Sequence, residues 1–313
     1  MKLQLSILIP VFNDVCDDLV ETLFRQAENI PGLQFEIIAA DDGSTDEAKV
    51  ARNKLIDKIP YCRHVMLDRN IGRAAVRNHL GRIAKYDWLL FIDCGVYPYR
   101  DNFLSSYVDE DDGSPVVCGG LVIDTKWGTT EKEKMHNLRY KYERSHEKEF
   151  SAWNRSAHSY RSFRTTNFVI HKTVLARVPF DETIKTYGYE DVLMGKSLRD
   201  IGVRINHIEN EVVYVCDEDN DAFVCKTEES LRTLSYKYRE LQGYSNILQG
   251  YANLRSLHAT WLCRLMFFFM HNIWRSNLLS RNPSLTIFKL YKICYFISFH
   301  KRRKDGDEAA HRA

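Results

Sequence analysis

The feature that most constrains the fold is an alternation of short apolar runs with amphipathic segments through the first hundred residues. The apolar runs fall at residues 5–10, 35–40, 64–67 and 88–92, and the segments between them carry apolar residues at helical spacing. This alternation predicts parallel strands joined by right-handed helical crossovers. We therefore expect an α/β fold with a mostly parallel central sheet flanked by helices.

Polar residues follow the predicted strands where each one ends. Asp41 and Asp42 follow the second strand, Gly72 opens the helix after the third, and Asp93 follows the fourth. In open α/β sheets, ligands bind outside the carboxyl ends of the strands. The sequence therefore predicts a binding site at this edge.

Composition and charge exclude several classes of protein. The 313 residues carry a formal net charge of +2, which gives no reason to expect a nucleic-acid partner. The eight cysteines include no CxxC pair and are expected to be reduced thiols. The N-terminal apolar stretch is too short for a signal peptide, so a cytoplasmic location is expected. No P-loop, GxGxxG or Ser/His/Asp arrangement appears, which argues against kinases, dinucleotide enzymes and hydrolases.

Two polar segments each allow a structural and a functional interpretation. The acidic turn at residues 41–46 suits a helix N-terminus, but a carboxylate there can also accept from a ribose or base. Arg69, Arg73 and Arg77 are spaced four apart and would share one helix face. That face is either a solvated basic stripe or an anion site suited to a diphosphate.

Two further acidic positions are equally open. Asp93, in the run Asp93-Cys94-Gly95, is either a turn former or a hard oxygen ligand for Mg²⁺ or Mn²⁺. Glu190 and Asp191 open a predicted helix, where the helix dipole favours acidic residues. A carboxylate held at such a position is also well placed to act as a general base.

The order and spacing of five motifs identify a resemblance. They are SILIPVFN at residues 6–13, DDGSTD at 41–46, RNIGRAAVRN at 69–78, FID at 91–93 and GYED at 188–191. Together they resemble family-2 glycosyltransferases of the GT-A fold, over roughly residues 4–240. The chain looks most like bacterial enzymes that build surface polysaccharides.

The resemblance implies a role for each matching residue. Asp191 would be the catalytic base of an inverting transfer, with Glu190 beside it, and Asp93 would lie close to the donor diphosphate and a metal ion. The implied donor would be a nucleoside-diphosphate sugar, with UDP favoured, and the acceptor a glycan or lipid-linked hydroxyl. The other implied substrate-binding residues are Pro10, Val11, Asn13, Asp41, Asp42, Gly72, Arg73, Arg77, Asn78, Thr166 and Asn167.

Two positions depart from the family's pattern. Gly95 stands where the second aspartate of the family's DxD motif is expected, and Tyr214 stands where relatives often place a metal-binding histidine. A divalent cation, Mn²⁺ or Mg²⁺, would then bind weakly through Asp93, or arginines would neutralise the diphosphate without it. The alternative function is a catalytically silent family member that only binds nucleotide sugar.

The last part of the chain changes character. We expect a glycosyltransferase domain over residues 1–241 and a helical, aromatic and basic extension over 242–313. Residues 261–279 and 285–299 are apolar but interrupted by cations, and a basic run follows at 300–304. Neither segment suits a spanning helix, so they either lie in the interface of the inner membrane or pack on the main domain.

Overall fold

A computed structural model describes residues 2–123, 134–214 and 218–310, without the side chains of 304–310. The chain divides into two compact units. The first comprises Met1–Asp124, Glu147–Lys185 and Glu190–Val215, and the second Thr125–His146, Thr186–Tyr189 and Cys216–Ala313. The predicted boundary at residue 241 between a main domain and a helical extension stays a prediction.

The first unit contains an eight-stranded sheet in the order β3-β2-β1-β4-β7-β6-β8-β5. Every predicted strand is present, with bounds shifted by at most a few residues. The strands are β1 Gln4–Val11, β2 Gln34–Asp41, β3 Cys62–Met66, β4 Trp88–Ile92, β5 Val96–Pro98, β6 Val116–Ile123, β7 Asn167–His171 and β8 Ile205–Tyr214.

Parallel pairing holds in the first half of the sheet and gives way to mixed pairing in the second. β1 pairs in parallel with β2 and β4, and β2 in parallel with β3. β7 runs antiparallel to both β4 and β6, and β5 antiparallel to β8. Because β7 is reversed, its first residue, Asn167, lies opposite Ile92 at the end of β4. The second half therefore adds strand beginnings to the edge where the parallel strands end.

The α-helices of the described residues largely follow the predicted pattern. A 3₁₀ turn, Lys54–Lys58, continues the second helix. In chain order the helices are α1 Asp17–Glu28, α2 Glu47–Asn53, α3 Arg73–Ile83, α4 Phe103–Asp109, α5 Leu138–Ser145, α6 Ala152–Ala157, α7 Lys172–Arg177, α8 Glu190–Asp200, α9 Asn220–Tyr236, α10 Asn246–Ser256, α11 Thr260–Leu278 and α12 Leu285–Ala310.

Strand β1 is apolar from Ile7 to Val11 because both of its faces are covered. Ile7 belongs to the cluster that includes Leu23 of α1, whereas Leu8 belongs to the cluster that includes Leu80 of α3. Burying a side chain of this size stabilises the fold by about 1.5–3 kcal/mol. This two-sided burial fixes α1 and α3 against the sheet and so helps to fix the loops at its carboxyl edge.

The second unit is a helical cluster with an aromatic core. The Phe288 ring of α12 lies 5.6 Å from Tyr142 of α5 and 5.5 Å from Phe223 of α9. Five of the larger residues of α12 are buried: Phe288, Tyr291, Cys294, Phe296 and Ile297. These residues of α12 are therefore core, which supports the packing interpretation of this helix, and its membrane contact stays a prediction.

The basic run after α12's apolar part is also not uniform. His300 is buried and stacks on Phe296 at 5.3 Å, whereas Lys301 and Arg302 are exposed. Among the helices that the structure describes, none combines the length and the apolar character needed to cross a membrane. The sequence also predicts a charged helical segment over residues 131–150, of which 131–133 lie outside the described residues.

Candidate active site

The predicted site residues meet at the carboxyl edge of the sheet. The Asp42 backbone N–H donates to the Val11 carbonyl at 2.8 Å, which joins the ends of β1 and β2. The Asp93 backbone N–H donates to the Thr166 carbonyl at 3.0 Å, which joins the end of β4 to the start of β7. The loops that carry the predicted nucleotide and transfer residues therefore lie side by side.

Asp42 is buried and its carboxylate holds the start of α3. Its two oxygens accept from the backbone N–H groups of Ile71, at 2.6 Å, and Gly72, at 3.0 Å. Burial raises the pKa of Asp42, and these two donors only partly offset that effect. Gly72 has a φ of +95°, a conformation that L side chains rarely adopt. Asp42 therefore fixes the loop that the diphosphate is expected to approach.

Asn13 and Asp41 hold the acidic turn in the same manner. The Asn13 side-chain oxygen accepts from the backbone N–H groups of Thr45, at 2.8 Å, and Asp46, at 3.2 Å. Asp41 accepts from the Ser44 N–H at 2.7 Å, and its other oxygen lies 3.7 Å from His64 Nε2. These side chains therefore fix the acidic turn at the end of β2. The helix-capping interpretation of the turn also holds, because Asp46 caps α2.

Pro10 and Val11 differ in their access to a ligand. Pro10 is half-buried at the end of β1, whereas Val11 is buried and belongs to the core beneath the edge. Phe12, which follows them, is about half exposed. Pro10 and the loop after it are therefore the parts of this segment that a ligand could reach, and the base pocket stays a prediction.

Arg77 connects two acidic residues, one after β4 and one at the start of α8. Its Nη2 donates to Asp93 Oδ1 at 2.6 Å, and its Nη1 lies 3.8 Å from Glu190 Oε1. Burial disfavours the charged guanidinium, but the carboxylates of Asp93 and Glu190 outweigh burial and raise the pKa of Arg77. The side chain is therefore a fixed, buried cation.

The predicted arginine stripe is wrong. Arg69 precedes α3, which begins at Arg73, so it does not share a helix face with the other two. Arg73 is exposed in the first turn, whereas Arg77, one turn later, is buried beneath it. The three arginines therefore occupy three different environments, and Arg73 alone is an exposed cation on the first turn of this helix.

Asp191 lies at the start of α8, half-buried beside Glu190. Burial and the neighbouring charge of Glu190 raise the pKa of Asp191 to about 6. The two residues before the helix, Gly188 and Tyr189, have φ values of +96° and +70°. A positive φ at tyrosine is uncommon, and strained backbone of this kind is concentrated at functional sites.

Three predicted residues have their polar groups directed to the protein itself. Asn78 bonds both backbone groups of Phe180 at 2.9 Å, which ties α3 to the chain after α7. Asn167 is buried, donates to the carbonyls of Gly120 and Asn210, and accepts from Tyr107. Thr166 is half-buried and positions Asp93 through its carbonyl.

The residues at the edge do not fit a divalent cation held by protein side chains alone. One oxygen of Asp93 is engaged by Arg77, and the described residues contain no cluster of three or more metal-binding side chains. Gly95 has a φ of +83°, and a Cβ there would lie 3.0 Å from an Asp14 carboxylate oxygen. Tyr214 ends β8 opposite Val96. Any ion would therefore depend on substrate phosphates for most of its ligands.

Two residues near the site escaped the sequence-based prediction. Arg164 contributes positive charge at Asp191, where it and Arg77 partly counteract the effects of burial and Glu190 that raise the pKa of Asp191. Asp14 lies beside the Gly95 position. Asp14 directly follows the SILIPVFN motif, and Arg164 stands two residues before Thr166, so only proximity along the sequence signalled them.

The sheet order and the polar loops at its carboxyl edge define the class of nucleotide-binding α/β proteins. The model of "Glycosyl transferase family 2" matches residues 6–178, more than half of the sequence. The chain therefore belongs to glycosyl transferase family 2. The predicted family is confirmed.

Sequence relatives match only part of their own length. A chondroitin synthase of Pasteurella multocida is 33% identical over 122 residues, which is 38% of this chain and 12% of that protein. A poly(ribitol-phosphate) beta-glucosyltransferase of Bacillus spizizenii is 31% identical over 125 residues, 38% of this chain and 19% of that protein. The matched part is thus less than a fifth of either relative.

Solved structures match almost the whole chain in fold. The structure of S. aureus TarS 1–349 with UDP-GlcNAc has 15% identity and a TM-score of 0.52, covering 96% of this chain and 92% of that one. The mannosyltransferase PcManGT of Pyrobaculum calidifontis, with GDP-Man and Mn²⁺, has 11% identity and a TM-score of 0.58, covering 97% and 87%. At this identity the likeness shows the fold alone, and the predicted GT-A fold is confirmed.

Proposed function

We propose that the protein is an active inverting glycosyltransferase that moves a sugar from a nucleoside-diphosphate sugar to an acceptor hydroxyl. The observation that carries the proposal is Asp191, a carboxyl at a helix start with a pKa raised to about 6. A general base is most effective when its pKa lies near the operating pH. Family membership and the neighbouring Arg77–Asp93 pair support the same assignment.

In the proposed reaction, Asp191 takes the proton of the acceptor hydroxyl while that oxygen attacks the anomeric carbon. The bond from this carbon to the diphosphate oxygen breaks on the opposite face, and the nucleoside diphosphate leaves with the bonding pair. The configuration at the anomeric carbon is inverted. General-base assistance of this kind contributes about 10²- to 10⁴-fold to a rate.

The negative charge that develops on the leaving diphosphate requires nearby positive charge. Arg73 is exposed in the first turn of α3, where backbone N–H groups also favour anions. Arg77 is already paired with Asp93, so its proposed role is to hold that carboxylate in place. No step of the proposed reaction depends on a divalent cation.

UDP-sugars are the favoured donors, and a glycan or lipid-linked hydroxyl is the favoured acceptor. A TarS structure contains UDP-GlcNAc and the PcManGT structure contains GDP-Man, which supports a nucleotide-sugar donor without choosing the base. The chondroitin synthase and the poly(ribitol-phosphate) glucosyltransferase support a role in polysaccharide synthesis. A cytoplasmic location is part of the same proposal.

The experiment is release of nucleoside diphosphate from UDP-, GDP- and dTDP-sugars, each with Mn²⁺, with Mg²⁺ and with EDTA. Asp191→Asn is run beside Asp200→Asn, a matched control on the exposed end of the same helix. We expect release with one donor class, at least 10²-fold slower in Asp191→Asn and unchanged in Asp200→Asn. Equal turnover in both variants would contradict the role of Asp191.

A catalytically silent nucleotide-sugar binder is the second candidate. Its support is Gly95, which removes a carboxylate, and Arg77, which occupies one oxygen of Asp93. Calorimetric binding of a UDP-sugar, with no diphosphate release from any donor in the presence of a library of glycan acceptors, would favour this function over transfer.

A further inference from the structure

The outward face of α11 exposes several large apolar side chains. Phe268 is 73% exposed, Phe269 66% and Trp261 61%. Leu262, Leu265 and Ile273 on the same helix are also exposed. Positions three, four and seven apart fall on one face of an α-helix, so these side chains form one stripe. We call it the α11 stripe.

The opposite face of α11 is already used. Cys263, Trp274 and Leu278 are buried, and the Phe267 ring lies 5.7 Å from both Tyr291 and Tyr295 of α12. The helix is therefore anchored within the second unit through one face, and the α11 stripe is what remains on the outside. A contiguous exposed apolar stripe of this kind indicates an interaction surface.

Charge distribution indicates what covers the stripe. Residues 241–304 contain ten lysines and arginines and no aspartate or glutamate, although the whole chain carries only +2. The remainder of the chain therefore carries a net charge of −8. All the excess positive charge of the molecule belongs to the segment that contains α11.

Several of these cations are exposed close to the stripe in the sequence. Arg264 is exposed and stands one helical turn from both Trp261 and Phe268. Arg255, just before α11, and Arg281 and Lys289, just after it, are exposed as well. Aromatic and leucine side chains flanked by cations on an interfacial helix match a bilayer surface with anionic lipid headgroups.

We propose that the α11 stripe inserts into the interface of a membrane containing anionic lipids, with the surrounding arginines and lysines on the headgroups. α11 lies in the plane of the surface, since it lacks the apolar character needed to cross a bilayer. This inference is independent of the proposed transfer reaction, and it assigns to α11 alone the membrane contact that the sequence suggested for both last helices.

The test is flotation of the full chain with vesicles of phosphatidylcholine and phosphatidylglycerol in equal parts, and with vesicles of phosphatidylcholine alone. We expect at least tenfold stronger partition into the anionic vesicles, and a fall with added salt because the headgroup attraction is screened. No partition into either vesicle would overturn the proposal, as would equal partition into both.

Two variants locate the contact. Phe268→Gln/Phe269→Gln should lose partition at least tenfold while its unfolding midpoint stays unchanged, because both side chains are exposed. Trp153→Gln is the matched control, since Trp153 is an aromatic side chain of the first unit that is 85% exposed. Unchanged partition of the double variant would overturn the proposal. So would a concentration-dependent dimer of the native chain that the double variant abolishes, because the stripe would then be a protein interface.

The fluorescence of Trp261 reports directly on insertion of the α11 stripe. Trp261 fluorescence should shift to shorter wavelength when anionic vesicles are added, and Trp261→Phe should remove that shift while it keeps partition within about twofold, since phenylalanine retains most of the apolar surface. A shift that persists in Trp261→Phe would mean that another tryptophan is buried by the vesicle, which contradicts insertion of this face.

Discussion

The two sides of the sheet edge satisfy their charged side chains in different ways. On the nucleotide side, Asp41 and Asp42 accept hydrogen bonds from backbone N–H groups of adjacent loops. On the transfer side, Arg77 satisfies Asp93 and Glu190, and these carboxylates in turn stabilise the charge of Arg77. The first arrangement is built into the backbone, and the second consists of side-chain charges that depend on one another.

This difference indicates which of the two sides can respond to a bound substrate. Backbone donors are held by the fold, so the nucleotide side is already organised before a nucleotide binds. The mutually dependent charges of the transfer side are each sensitive to a new charge or a new proton nearby. Four variants test this difference between the two sides, in order of decreasing expected change in stability.

Arg77→Met should have the largest effect on stability. It leaves the carboxylates of Asp93 and Glu190 without their cation, and removing one partner of a buried pair costs about 3–5 kcal/mol. The free energy of unfolding is measured in urea. Arg82→Met, on the exposed side of the same helix, is the control and should lie within about 0.5 kcal/mol of the native chain. Equal losses in both variants would remove the distinction between the two sides.

Asp191→Asn should stabilise the protein while it slows transfer at least 10²-fold. The pKa of Asp191 is raised from 3.8 to about 6, so the folded state loses stability as the pH rises through that window. The variant should therefore match the native chain below pH 3.8 and gain roughly 1–3 kcal/mol at pH 8.

The control variant, Asp200→Asn, should change the stability in the opposite direction. Lys196 and Arg199 hold the pKa of Asp200 below its ordinary value, so Asp200→Asn should be slightly less stable at pH 8. Thermal unfolding at several pH values measures both variants. The native rate of transfer should also fall below pH 6, since the base is then protonated. A flat pH profile would contradict this assignment.

Asp42→Asn should cost about 1–3 kcal/mol. An asparagine keeps one acceptor for Ile71 or Gly72 but turns an NH₂ group toward the other backbone N–H. Asp46→Asn is the matched control, because asparagine caps a helix as well as aspartate does. The free energy of unfolding of both variants is measured in urea. Equal losses would mean that the backbone hydrogen bonds to Asp42 contribute no more than an ordinary helix cap.

Gly95→Asn should have the smallest effect, about 1 kcal/mol, because asparagine tolerates a positive φ. Gly95→Asp should cost more, since it adds a charge beside the Asp14 carboxylate. Gly113→Ala, at a positive φ with open space around it, measures the backbone strain alone. A Gly95→Asp variant that is as stable as Gly95→Asn, with a large gain in turnover with Mn²⁺, would indicate that the native site is a degraded metal site.

The sequence predicted what depends on local pattern and missed what depends on tertiary partners. Two-sided apolar runs such as that in β1 predicted buried strands correctly, and the alternation of strands with helices predicted the parallel pairing of β1 with β2 and β4. The order of the strands in the sheet was not predicted. The spacing of Arg73 and Arg77 predicted a shared face, but spacing does not encode the carboxylates that draw Arg77 into the interior.

The two last helices show the same limit. α11 and α12 are both apolar and basic, and composition predicted one role for both. Packing against α5 and α9 buries α12 and leaves the outward face of α11 exposed. The burial of a helix is decided by the elements beside it, which its own residues do not specify.

The contact between α5 and the residues just before α12 affects when each part of the protein can fold during synthesis. Lys141 donates to Asn282 at 3.0 Å, across 141 positions of sequence. At a synthesis rate of about 5–20 residues per second, α5 waits roughly 7 to 28 s for this partner. The last strand of the sheet, β8, has already been synthesised by then. The first unit can thus mature on the ribosome, while the aromatic surface of α5 remains a target for chaperones until the end of the chain emerges.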